Sequence, residues 1–150
     1  PNTPLLVGRG VVAWCGNDRL TPAHEDLMES IFSPVSSVHR VAEEEMDAVT
    51  ALSGSGPAFF YRIIEAFEKA AIAEGLTPER ARPFATGTAI GACSMLQETG
   101  LEPDELVSQV RSKGGTTAAG LEKLENSKLE NIIKDTISAA AERSRELGGR

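Results

Sequence analysis

From about Glu43 to its end, the chain keeps a helical spacing of apolar residues that breaks only where proline or glycine stands. That pattern restricts the fold more than anything else in the sequence, because a 3.6-residue period cannot lie flat in a sheet. Pro57 opens a long helix, with Phe59, Phe60, Ile63, Ile64, Phe67, Ala70 and Ala71 as a wide apolar stripe, and Gly75 is placed to end it. Thr77-Pro78 supplies a cap and a first-turn proline for a helix running to Thr99, with Gly100 as its stop. Pro103 starts a shorter helix ending near Arg111, and a further helix is expected over residues 117–125. The last helix carries Leu129, Ile132, Ile133, Thr136, Ile137, Ala140, Ala141, Ser144 and Leu147, and Gly148-Gly149-Arg150 beyond it is expected to fray. Gly87 and Gly91, four residues apart on one face, predict a close helix crossing, since an interior glycine otherwise costs a helix roughly 1 kcal/mol.

The first 42 residues differ. Residues 7–15 are apolar and β-branched between glycines, which predicts a short buried strand. Thr21-Pro22 starts a helix that turns Leu27, Ile31 and Phe32 inward and stops before Pro34. Val35, Val38 and Val41 mark a second strand. Residues 43–52 form a short acidic-headed helix, and residues 53–57 break the helical pattern. The predicted fold is therefore mainly α, preceded by a small β/α portion, with the division near residues 42 and 43.

Charge and composition remove several classes of function. A net charge of −7 is contrary to a general nucleic-acid binder, which needs a basic face. No apolar run approaches the ~20 residues of a membrane span. Cys15 and Cys93 stand far apart, outside any CxxC pair, and no signal peptide is visible, so reduced thiols in a cytoplasmic protein are expected. His24 and His39 lie in polar contexts and read as surface histidines, and no metal-ligand spacing occurs, so no metal site is expected. The run Glu43-Glu44-Glu45 reads as a solvated helix N-terminus.

Two glycine-rich segments remain, each before a helix, where unpaired N–H groups and the positive end of the dipole favour a carboxylate or phosphate. In Gly114-Gly115-Thr116-Thr117 the glycines allow the backbone to fold around a ligand oxygen and the hydroxyls can add directed hydrogen bonds. A plain helix-to-helix turn with threonine caps accounts for the same residues. Ser53 to Pro57 has a similar double reading, as a helix cap or as backbone brought close to a flat ligand. Neither segment supplies a strong base or a nucleophile. A reaction here would rest on positioning and electrostatics, and hydride transfer from a bound cofactor meets that restriction.

Three segments in order carry a family resemblance that covers essentially the whole chain. Pro1-Asn2-Thr3-Pro4 with Val7-Gly8, Met46-Asp47-Ala48-Val49-Thr50-Ala51-Leu52-Ser53-Gly54-Ser55-Gly56-Pro57-Ala58, and Val110-x-Ser112-x-Gly114-Gly115-Thr116-Thr117-x-x-Gly120-Leu121 resemble signatures of the pyrroline-5-carboxylate reductases. The resemblance implies reduction of 1-pyrroline-5-carboxylate to L-proline with NADPH or NADH, in proline biosynthesis. It implies that residues 1–42 are the tail of a Rossmann dinucleotide-binding domain. Residues 43–150 would be an all-helical dimerisation and substrate-binding domain of the 6-phosphogluconate-dehydrogenase-like C-terminal type. Two subunits would interlock as a homodimer, and the dimers could join in a ring.

The same resemblance implies roles for single residues. Ser112, Gly114, Gly115, Thr116 and Thr117 would hold the substrate carboxylate, with the Thr117 hydroxyl as the catalytic contact to the imine nitrogen. Asn2, Ser55 and Pro57 would border the nicotinamide. Two departures stand out. Lys113 replaces a proline usual in the family, and no GxGxxG occurs in the chain to hold the cofactor's pyrophosphate. The expectation is thus a fragment of a reductase, inactive by itself. A non-catalytic helical module that binds a carboxylate, or a related imine or keto-acid reductase, are the other readings.

Overall fold

The computed structural model describes residues 1–149. The chain opens with a 3₁₀ turn, Thr3–Val7, ended by Gly8 in the left-handed region at φ 70°. Strand β1, Gly10–Trp14, helix α1, Pro22–Phe32, and strand β2, Ser36–Arg40, follow. The strands pair in parallel, Gly10 opposite Ser36 and Trp14 opposite Arg40, with α1 as the crossover that a parallel pair requires. β1 starts later than the apolar run predicts because Thr3-Pro4 winds the approach into a turn instead. That turn packs so closely on the strand that a side chain at Gly10 would meet Leu5 Cβ at 2.8 Å, which explains the glycine.

In the following segment helical winding extends through Gly54, and the interruption expected at residues 53–57 is confined to a bend at Ser55. A 3₁₀ turn Glu43–Glu45 leads into α2, Met46–Val49, and then into a π turn, Thr50–Gly54. The wider winding is seen in the Ser55 N–H, which donates to the Thr50 carbonyl five residues back at 2.9 Å. Helix α3, Gly56–Ala73, continues from it. The remaining helices are α4, Pro78–Thr99, α5, Pro103–Val110, α6, Thr116–Asn126, and α7, Leu129–Leu147. Gly100 ends α4 at φ 64°, as its position predicts. The expectation of fraying at Arg150 lies outside the described residues.

Three helical starts share one device. The backbone N–H of the capping residue is satisfied by the side chain three residues on: Thr21 by His24 Nδ1 at 3.3 Å, Ala42 by Glu45 at 2.7 Å, Glu102 by Glu105 at 2.9 Å. His24, read as a plain surface histidine, therefore has a structural task. So does Glu43 in the acidic run, whose carboxylate accepts the Cys15 thiol proton at 2.7 Å.

The chain forms two compact units, one of Pro1–Phe60 with the residues from Ile133 onward, the other of Tyr61–Ile132. Both sides of the sequence division at residue 43 contribute to the first unit. Its buried apolar residues are Val12 on β1, Ala51 in the π turn and Ala141 on α7. In the second unit Ala81 is fully buried. There Arg82 of α4 holds Glu68 of α3 through Nε at 3.1 Å and Nη2 at 3.2 Å, and an apolar cleft of about 340 Å³ runs along α4 and α5, lined by Met95, Leu96, Leu106, Val107 and Val110 among others.

The close helix crossing expected at Gly87 and Gly91 is not made among the described residues. A Cβ built at either glycine meets nothing within 4 Å. Phe67, Phe84 and Ile90 are each more than 60% exposed.

Candidate functional site

The first group of expected residues lies in the first unit. Asn2 sits where the 3₁₀ turn, β1 and the π turn meet. Its Oδ1 accepts the Val11 N–H at 2.9 Å, and its Nδ2 donates to the Ser53 carbonyl at 3.1 Å and lies 3.4 Å from Ser53 Oγ. Only one orientation of the amide satisfies both ends, because an N–H and a carbonyl need opposite partners. Ser55 and Pro57 follow at the entry to α3.

Beside them is a cavity of about 210 Å³ lined by Pro1, Val11, Ala13, Met46, Val49, Thr50, Ser53 and Gly54. Asn2, Ser55 and Pro57 border these residues in sequence but do not themselves line the cavity. Its apolar members suit the face of a flat ring, and Thr50 and Ser53 add hydroxyls for a polar substituent. Residues from β1 and α2 were not expected here. A signal for Ser53 existed: the proline four residues later cannot return a helical hydrogen bond to its carbonyl.

The second group lies in the second unit. After α5, Arg111 is extended and Gly114 takes φ 71°, a left-handed position that a glycine adopts without strain. The Gly115 N–H closes the turn on the Ser112 carbonyl at 3.1 Å. A side chain at Gly115 would overlap Ser112 Oγ, so a substitution there would turn the Ser112 hydroxyl away. Helix α6 then begins at Thr116, with no side chain capping its first turn.

The first helical return bond runs from the Ala119 N–H to the Gly115 carbonyl. Among the described residues, the N–H groups of Thr116, Thr117 and Ala118 have no partner in the chain. Three such donors at a helix N-terminus form a site for an oxyanion. Ser112 is exposed and Thr117 half-buried, and the exposed cations Arg111 and Lys113 flank the turn, adding a field of the same sign. Neither threonine hydroxyl caps the helix.

Among the described residues, no group of three His, Cys, Asp or Glu side chains comes together as a metal site, and no helix is long and apolar enough to cross a membrane.

Comparison with known proteins fits this architecture. Residues 43–147 match the family model "Pyrroline-5-carboxylate reductase dimerisation". Pyrroline-5-carboxylate reductase from Glycine max is 37% identical over 98% of this chain and 54% of its own length. The Synechocystis enzyme is 39% identical over 99% of this chain and 55% of its own. Among solved structures, a Coxiella burnetii pyrroline-5-carboxylate reductase superimposes with a TM-score of 0.94 at 36% identity, over 98% of this chain and 55% of that one. The Plasmodium falciparum pyrroline carboxylate reductase, solved with NADP bound, gives 0.92 at 32% identity, over 99% and 61%. The chain spans about half the length of the curated relatives it matches. With a family match over most of its length, and a mainly helical fold preceded by a two-stranded parallel sheet, the chain belongs to the pyrroline-5-carboxylate reductase family.

Proposed function

We propose that this chain is the dimerisation and substrate-binding part of a reductase that converts 1-pyrroline-5-carboxylate to L-proline in the cytoplasm. The observation that supports it most directly is the set of three unpartnered N–H groups at the head of α6, behind the turn at Gly114 and Gly115. In this reading residues 1–42 are the tail of the dinucleotide-binding domain and residues 43–150 the helical domain. Two chains interlock through their exposed apolar helix faces, and such pairs can assemble into a ring.

Ser112, Gly114, Gly115, Thr116 and Thr117 hold the substrate carboxylate, mainly through backbone N–H groups. The Thr117 hydroxyl meets the ring nitrogen and fixes the C=N bond. A protonated imine is already an electrophile, so the protein's work is orientation and charge complementarity rather than covalent catalysis. The apolar cavity beside β1 suits a nicotinamide ring, which Asn2, Ser55 and Pro57 would border. When bound, NADPH or NADH supplies the hydride that the imine carbon accepts. Holding the donor's pyrophosphate falls to a glycine-rich phosphate-binding segment, which these 150 residues do not contain. The chain alone is therefore expected to bind a small cyclic carboxylate and to self-associate, without turnover.

Calorimetric titration of the chain with L-proline tests the reading, with Thr117→Ala as the comparison. Wild type should bind, and the variant should bind about tenfold more weakly, as loss of one hydrogen bond to a charged ligand predicts. Equal binding would remove the role of Thr117. Absence of wild-type binding at millimolar proline would remove the carboxylate site itself.

A further inference from the structure

The Ser53 carbonyl sits in a helical segment that cannot satisfy it in the ordinary way. Four residues on, where an α-helix would return a donor, stands Pro57, which has no N–H. Five residues on, the Ala58 N–H is committed to the Ser55 carbonyl at 3.0 Å. The donor that reaches Ser53 comes from a distant part of the sequence, the Nδ2 of Asn2, 51 residues earlier in the chain. The other end of the same amide is used as well. The Gly10 N–H of β1 faces β2 and bonds the Val35 carbonyl, so the next N–H, that of Val11, points to the opposite edge, where Asn2 Oδ1 accepts it. The Asn2 main chain is fixed in turn, because its carbonyl accepts the Leu5 N–H at 3.2 Å.

From this geometry we infer that the Asn2 side chain is a positioning group. It replaces the N–H missing at Pro57 and so fixes the π turn Thr50–Gly54 against the edge of β1. Its reach sets where Ser55, Gly56 and Pro57 stand, next in sequence to Ser53 and Gly54, which line the cavity with Val11, Ala13 and Met46. π turns inside helices recur at functional sites, where the extra residue displaces a backbone segment that a regular helix would bury. The inference rests on the reductase reading only for its effect on hydride transfer; the clamp stands on its own hydrogen bonds. Both ends of the amide are engaged by the protein, so Asn2 acts on a ligand at least through Ser53 and Ser55.

Two measurements test this separately. In the chain itself, Asn2→Asp keeps an acceptor for Val11 but loses the donor to Ser53. Amide hydrogen exchange at Ser55 and Ala58 should then rise about tenfold, with amides in the middle of α4 unchanged. Adding Pro57→Ala to Asn2→Asp restores an N–H four residues after Ser53 and should return exchange at Ser55 to within about threefold of wild type. Unchanged exchange at Ser55, an equal rise throughout the chain, or failure of Pro57→Ala to rescue would each overturn the clamp. In the full-length reductase proposed above, Asn2→Asp should lower kcat several-fold while the KM for pyrroline-5-carboxylate holds. An unchanged kcat would overturn the positioning role. A wild type without turnover would sink the reductase reading, and the exchange measurements would still decide the clamp.

Discussion

The hydroxyl of Ser144, on the last helix, donates to Asp47 Oδ1 at 2.7 Å across 97 residues of chain. This bond ties α7 to α2, the short helix that leads into the π turn, and Ala141 one turn earlier on α7 is buried. Loss of one partner in a part-buried bond to a carboxylate costs about 1–2 kcal/mol. Ser144→Ala should lower the denaturation midpoint accordingly, measured at fixed chain concentration because assembly and stability are linked. An unchanged midpoint would mean that this tie contributes nothing.

The turn before α6 is predicted to be the least tolerant exposed segment. Gly114→Ala places a side chain at φ 71°, which costs roughly 1–2 kcal/mol. Gly115→Ala drives Cβ into Ser112 Oγ and requires Ser112 to move. Both substitutions should weaken L-proline binding more than Lys113→Ala, which removes a flanking charge but leaves the N–H groups in place. A Gly115→Ala variant that binds proline as wild type does would show that the ligand lies elsewhere.

On α3, Glu65 accepts from Lys69 Nζ at 2.8 Å and from Arg62 Nη1 at 2.7 Å. The Lys69 ammonium, and after it the Arg62 guanidinium, hold its carboxyl down at about 2, against an ordinary value of 4.5. A carboxylate lowered on folding stabilises fully above its unfolded value and loses that contribution as the pH falls through its folded value. The contribution of Glu65 is therefore present at neutral pH and fades between pH 4.5 and about 2. Carboxyl-resolved NMR should find its midpoint near the lower limit, and Lys69→Ala should move it upward. A midpoint near 4.5 in the wild type would show that the two cations do not hold it. The pair lies at the surface, so its effect on global stability is small.

Self-association is expected of the wild-type chain. Phe67, Phe84 and Ile90 would otherwise stay in water, and burial of one such side chain contributes about 1.5–3 kcal/mol. Light scattering at micromolar concentration should give at least twice the chain mass, with Ile90→Asp reducing it. A wild type that is monomeric, folded and cooperative in unfolding would contradict the assignment of these faces to a partner.

Much of what depends on neighbours within four residues was legible in the sequence: the helices α3, α4, α5 and α7, the proline starts, the Gly100 stop, and the glycine turn before α6. The two strands and the helix between them were legible too, within a few residues at their ends. Tertiary structure alone decided the parallel register of Gly10 on Ser36, the joining of Asp47 to Ser144, and the π winding at Thr50–Gly54 that Asn2 secures. Such contacts join chemical groups by complementarity of donor and acceptor, and no periodicity in the chain records which distant residue will supply the missing partner. The glycines at 87 and 91 mark the same limit from the other side. Their spacing announces a close approach, yet among the described residues nothing lies within 4 Å of a Cβ built at either.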